Sequence, residues 1–220
     1  YGGEMIGIWG YYLLSPFNVI LLLIPAKFIN FSILLITLLK YGSSGLAFSV
    51  FLKHKGIKKD AITLSMSIAF ALNGWMIANQ LNVMWLDGVI LLPIIIIGID
   101  KILDSNKYRV FIISYTAMLV INYYIAYMIT LFSIIYVISK LLIDNGNLKQ
   151  RITKLFKVGI GHVISLLLSS FIFLPNLIEL RNGKAAYTLS TFKWKIEYNP
   201  LKMVSKLFDG SFNFSQMPKG

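Results

Sequence analysis

Asn79-Gln80-Leu81-Asn82-Val83-Met84-Trp85-Leu86-Asp87-Gly88 interrupts the longest stretch of the chain that lacks Lys and Arg, residues 60–100. Apolar residues dominate on both sides of it, over 61–78 and over 88–103. A helix of about forty residues would be roughly 60 Å long, while about 20 apolar residues already cross the ~30 Å hydrocarbon layer of a bilayer. The polar and aromatic segment therefore reads as a turn between two crossings. Both crossings must be helical, because a lone segment in lipid satisfies its backbone only as a helix.

The basic residues bracket this hairpin. Lys53, Lys55, Lys58 and Lys59 precede it, and Lys101, Lys107 and Arg109 follow it. Lys140, Lys149, Arg151, Lys154 and Lys157 form a third block, so 12 of the 21 basic residues fall in three short loops. Hydrophobic residues are 57% of the 220 and charged residues 14%, far below the ~25% charge of soluble chains. With a mean hydropathy of +0.72, this composition excludes a disordered chain, and the absence of Cys excludes a disulfide scaffold. The net charge of +12 sits at membrane boundaries instead of lining one accessible face, so no nucleic-acid partner is expected.

Residues 110–139 repeat the pattern, with basic blocks at both ends and Asn122-Tyr123-Tyr124 as the break. Like ends imply an even number of crossings, and the positive-inside rule puts all three basic blocks in the cytoplasm. The expected fold class is an all-α polytopic membrane protein. It has about six transmembrane helices, a short re-entrant or interfacial helix and an extracellular tail. The expected organisation is an outer loop with the short helix over 1–25, a transmembrane domain over 26–175, and an extracellular segment over 176–220. The six spans are expected near 27–52, 61–78, 88–103, 109–121, 125–142 and 158–174. The chain starts at Tyr1-Gly2-Gly3 without Met or a signal peptide, and is read as an internal fragment with both ends outside.

Ser15-Pro16-Phe17-Asn18, followed by Val19–Ile24 and Pro25, is the short-helix signature: Ser15 as cap and Pro16 at the first helical position. The six apolar residues Val19–Ile24 reach only about 9 Å, too short to span. The outward turns carry Tyr11, Tyr12, Trp75, Trp85, Tyr123, Tyr124, Asn82 and Asn122. Such residues form interfacial belts, and aromatic faces with amides also suit a saccharide. Asp87, at the outer edge, is expected to cap its helix, to hydrogen-bond a substrate hydroxyl or to take a proton. Lys40 lies midway between Lys27 and Lys53, where a cation costs about 2.5–3.5 kcal/mol and marks a functional candidate. It either neutralises a lipid phosphate or pairs with a buried carboxylate, unless Gly42-Ser43-Ser44-Gly45 ends the helix and lets it snorkel. His54 and His162, on separate elements, give no zinc pattern. P-loop and Gly-x-Ser-x-Gly motifs are absent. No cofactor is expected, and a divalent metal is left open. In the tail, Phe192–Tyr198 alternates like a strand and Asn199-Pro200 opens a short amphipathic helix. The tail's basic excess suits a polyanion or anionic lipid headgroups.

Three blocks carry a family resemblance: Tyr11-Tyr12-Leu13-Leu14-Ser15-Pro16-Phe17-Asn18, Asn82-Val83-Met84-Trp85-Leu86-Asp87-Gly88 with Leu91-Leu92-Pro93, and Asn122-Tyr123-Tyr124-Ile125-Ala126-Tyr127-Met128. Together with Lys40 and the closing Gly210-Ser211-Phe212-Asn213 and Gln216-Met217-Pro218, they resemble the bacterial YfhO membrane-protein family over nearly the whole chain. The resemblance implies a GT-C-class glycosyltransferase in the bacterial cell membrane with its active face extracellular. It implies a polyprenyl-phosphate sugar donor, made by a partner transferase and delivered by a flippase, and an anionic cell-envelope polymer as acceptor, chiefly lipoteichoic acid. Membrane lipids surround it. The catalytic acid of this class lies in the first outer loop, which implies a base preceding Tyr1. Glu4, after Gly2-Gly3, is the candidate within the chain. Substrate contacts are expected from Lys40, Asn82, Trp85, Asp87, Asn122, Tyr123, Tyr11 and Tyr12. Two other classes share the hydrophobicity: a transporter or flippase for lipid-linked sugar, and a non-catalytic envelope-assembly subunit. The lack of an internal repeat and the polar residues at one face weigh against transport.

Overall fold

The computed structural model describes residues 9–144 and 147–182, and every contact below lies within residues 9–180, one compact unit. Glu4, the strand pattern at 192–198, the helix signature at 199–208 and the basic tail lie outside the described residues. The described chain is helical, with no strand. A single π-helical turn, Trp9–Leu13, leads through a 3₁₀ turn, Pro16–Asn18, into α1, Val19–Leu23. Helix α2 covers Ile29–His54, α3 Asp60–Ala71, α4 Gly74–Ala78 and α5 Val83–Ser105. Next come α6, Arg109–Ile121, α7, Tyr123–Ile143, α8, Leu148–Leu168, and α9, Ser170–Asn182.

The element ends follow local chemistry. Gly56, at φ 87°, closes α2: its amide bonds the Lys53 carbonyl and the Ile57 amide bonds that of Leu52, the left-handed C-terminal motif that favours glycine. Asn106, at φ 54°, closes α5 with its amide on Ile102. Asn73 caps α4 and Asn122 caps α7, each side-chain oxygen accepting from the amide three residues on. Helix α2 runs unbroken through Gly42–Gly45. This sets aside the rival reading, in which these residues end the helix and free Lys40 to snorkel, in favour of the buried one. In an apolar surrounding the unbroken helix is the way to satisfy those backbone groups.

Among the described residues, four helical stretches are long and apolar enough to cross a membrane: Ala26–His54, Asp60–Ala78 (α3 with α4), Val83–Ser105 and Tyr123–Ile143. Helix α8 with the start of α9 makes a fifth if that pair, bent by 81°, is one span. Helix α6 has 13 residues, about 20 Å, short of a ~30 Å layer. Among the described residues, length and composition give four or five candidate spans beside the six expected, within the same all-α polytopic class.

Helix α5 is the hub, packed on α2, α6, α7 and α8. The core joins Ile95, Ile99 and Ile102 of α5 to Phe111 and Met118 of α6, Ala126 and Val137 of α7 and Val158 of α8. Gly98 lets α5 and α6 approach closely, since a Cβ there would stand 2.6 Å from Phe111 backbone atoms. The helix order brings all three basic loops to one end of the bundle and gathers the Asn79–Asn82 turn, Asn122 and the Trp9–Ser15 segment at the other.

Candidate functional site

At the end opposite the basic loops, a mid-helix cation meets an acid from a neighbouring helix. Lys40 Nζ, on α2, lies 2.6 Å from Asp87 Oδ2, on α5, and donates also to the Val83 carbonyl at 2.9 Å. Ser15 Oγ donates to the other carboxylate oxygen at 3.1 Å, and the Phe17 ring centre lies 5.4 Å from the ammonium. Lys40 is 0% exposed and Asp87 2%. Of the two roles the sequence allowed Lys40, the structure gives it the buried carboxylate. Neither charge is stable alone in such a place, and each offsets the other's desolvation.

Two capping expectations are corrected. Helix α5 starts at Val83, before the expected 88, so Asp87 lies inside the helix and turns to Lys40. Ser15 makes no cap bond to the Pro16 turn and uses its hydroxyl on Asp87 instead. This ties the segment ahead of α1 to the ion pair.

Around this pair lies an aromatic cluster. Trp85 Nε1 donates to the Tyr11 hydroxyl at 2.8 Å. The Tyr11 ring centre stands 4.6 Å from that of Tyr12, 6.2 Å from Tyr123 and 6.3 Å from Tyr124. Asn122 is wholly buried: it caps α7 and donates to the Tyr11 carbonyl at 3.2 Å and the Met84 carbonyl at 3.4 Å. The expected contact residues therefore divide by accessibility. Lys40, Asp87 and Asn122 have their polar groups engaged inside the protein. Tyr11, Asn82, Trp85 and Tyr123 are half-buried, and Tyr12 and Tyr124 are exposed. The sequence signalled these residues one turn at a time, but not that Tyr11 binds the three turns together. It missed Ser15 as an ion-pair partner.

The family model described as "Bacterial membrane protein YfhO" matches residues 1–219. The chain belongs to the YfhO family. No curated protein matches it, and no solved structure does. With its apolar helices, this YfhO-family protein is membrane-embedded.

A second cluster stands at the basic end of the YfhO-family bundle. Asp100, 2% exposed on α5, accepts from Lys55 Nζ at 2.6 Å, Lys140 Nζ at 2.7 Å and the Tyr136 hydroxyl at 2.8 Å. His54 Nε2 lies 3.5 Å away, and Lys140 reaches Asp104 at 3.3 Å. Burial draws the Lys55 ammonium down, but its hydrogen bonds to Asp100 and Tyr136 outweigh that and hold its pKa above the usual lysine value. Lys55 and Lys140 read from the sequence as orientation charges. The available signal for their partner was an acid closing the Ile-rich run 94–99 beside a basic block.

Among the described residues no group of three or more His, Asp or Glu could hold a metal ion. His162 is shared between the Ser133 hydroxyl at 3.2 Å and the Val158 carbonyl at 3.0 Å. Chemically, the aromatic end offers ring faces and amides around a charge-neutral, water-poor core. Such a surface can hold a polyhydroxylated ligand. Asp87, salt-bridged and inaccessible, is not placed to take a proton from one.

Proposed function

We propose that the protein is a membrane glycosyltransferase. It moves a sugar from an undecaprenyl-phosphate-linked donor to a cell-envelope polymer such as lipoteichoic acid, on the outer face of the bacterial membrane. One observation carries this reading: Tyr11, Trp85 and Tyr123, from three separate segments, meet in a single half-buried cluster at the end away from the basic loops, and Asn82 stands half-buried just ahead of Trp85. Orientation by the positive-inside rule makes that end the outer one. Family membership supports a membrane-bound envelope role.

In this reading the sugar lies against Trp85 and Tyr123, with amide contact from Asn82. An acceptor hydroxyl loses its proton to a carboxylate base, attacks the anomeric carbon and forms the new glycosidic bond. The anomeric carbon–phosphate oxygen bond breaks, and the lipid phosphate leaves with the electron pair. The base is assigned to the segment before residue 9, where Glu4 is this chain's candidate. Lys40 and Asp87 act by holding the patch together: they join α2, α5 and the Ser15 segment on which Tyr11 is carried.

The test is to express the full-length protein in a strain deficient in teichoic-acid glycosylation and to analyse the envelope polymers. Sugar returns with the wild type and falls at least tenfold with Trp85→Ala or Tyr123→Ala at equal protein level. Unchanged sugar on every polymer with the wild type overturns the proposal. Purified protein in vesicles that scrambles the donor without transferring sugar replaces it with transport.

A further inference from the structure

We infer that the cavity between α6, α7 and α8 holds the headgroup-proximal isoprene units of the lipid-linked donor and that Tyr123 marks the junction of tail and headgroup. The inference rests on the transferase reading above and assigns it a site that the aromatic patch alone does not supply.

The cavity has a volume of about 460 Å³, within the usual range for ligand pockets. It exists because α6 packs on both α7 and α8 while those two barely meet. The resulting wedge has Tyr115 and Leu119 of α6 as its floor, and Ile134 of α7 and Leu155 of α8 stand exposed at its rim. A lipid chain can therefore enter sideways from the bilayer. Helix α9 bends by 81° from α8 and brings Phe173 into the wall. From Tyr123 to Val137, both in the lining, is about 21 Å along α7, most of the depth of a hydrocarbon layer.

The chemistry of the wall selects a hydrocarbon. Its buried polar groups already have protein partners. Tyr115 and Thr130 share a hydroxyl–hydroxyl bond, Thr130 donates to the Ala126 carbonyl, and His162 is held by Ser133 and Val158. A sugar or phosphate in the cavity would lose its water and find few groups to replace it. Ring faces and branched side chains remain, and these suit an unsaturated, methyl-branched chain.

Continuity decides which lipid. Tyr123 lines the cavity and also stands beside Tyr11 in the aromatic patch, so a chain seated here delivers its polar end to the proposed sugar site. The other large groove, about 530 Å³ between α2 and α3, has its charged lining residues, Lys53 and Asp60, at the basic end and includes no residue of the patch. Both grooves are walled in part by a glycine with nothing within 4 Å of an added Cβ: Gly159 in the first and Gly42 in the second. A Cβ at either position enters open space, so a large side chain can be started there toward its own groove.

The experiment uses the full-length protein in detergent or nanodiscs, undecaprenyl phosphate as probe, phosphatidylglycerol as competitor, and native mass spectrometry as readout. Wild type retains undecaprenyl phosphate in preference to phosphatidylglycerol. Gly159→Phe weakens retention about tenfold or more, and Gly42→Phe leaves it unchanged. Should Gly159→Phe fail to fold, Ile134→Trp at the exposed rim is the second plug, with the same expectation. Retention that survives both plugs, or that is lost only in Gly42→Phe, overturns this site and leaves the transferase proposal standing. Equal displacement by phosphatidylglycerol overturns it as well, making the cavity an ordinary lipid seam. A wild type that binds no undecaprenyl phosphate removes both proposals together.

Discussion

Asp87 and Asp100 lie on the same helix, about 20 Å apart along its axis, and both are 2% exposed, yet their charges are met in opposite ways. Asp87 has one cation, Lys40, itself 0% exposed and supplied from the middle of α2. Asp100 has two lysines whose side chains are 35% and 34% exposed, with Tyr136 and His54 beside them. The first is a dry pair in which, among the described residues, neither member has a second charged partner, only the neutral Ser15 hydroxyl and Val83 carbonyl. The second is fed from the ends of helices, and its lysines can turn to water. A buried acid thus needs a committed partner deep in the bundle, whereas near the basic loops it can draw on a shared supply.

The comparison predicts a steep asymmetry in stability. Lys40→Met leaves a buried carboxylate unpaired and is expected to cost about 3–5 kcal/mol, read as a fall in thermal unfolding midpoint in detergent. Adding Asp87→Leu returns most of that loss, because both charges are then gone. A Lys40→Met protein as stable as wild type would break the dry-pair picture.

Asp100→Asn is expected to cost less, roughly 1–2 kcal/mol, since Lys55 and Lys140 regain water. Raising the salt concentration narrows the gap between wild type and Asp100→Asn but not that between wild type and Lys40→Met, because ions screen only charges they can approach. Equal salt responses would place the two clusters in one class.

The smallest effect is a pH dependence at Lys55. Its pKa is raised in the folded protein, so its contribution is fully present below the unfolded value, about 10.4, and is lost as pH rises through the folded value. The stability difference between wild type and Lys55→Met should therefore be constant to about pH 10 and close above it. A difference that grows with pH would show that Lys55 does not act through Asp100.

Much of the helical layout is visible in the chain because lipid imposes it. Residues 79–82 and Asn122 interrupt apolar runs and do stand between helices, and Pro16 does open a helical turn. The start of α5 is less legible. Val83-Met84-Trp85-Leu86 looked like part of the turn, yet it is helical, and those extra residues are what carry Asp87 inward. Of the residues expected to contact substrate, Tyr11, Tyr12, Asn82, Trp85 and Tyr123 are reachable in the fold. The mid-span position of Lys40 pointed to its burial, but that of Asp87 and Asn122 could not be read from their types or spacing.

The sequence by itself determined which segments are helices, which end of the bundle is basic, and that a lysine in the middle of an apolar helix needs a partner. Hydropathy and backbone hydrogen bonding act locally, so composition suffices for these. Only the tertiary structure decided that the partner is Asp87, 47 residues away, and that Asp100 collects Lys55 and Lys140 from 45 and 40 residues away. Those pairings depend on how each helix is rotated and which neighbour it packs against. Close approaches such as Gly98 against Phe111 and the wedge between α7 and α8 set that rotation and packing, and neither has a local signature.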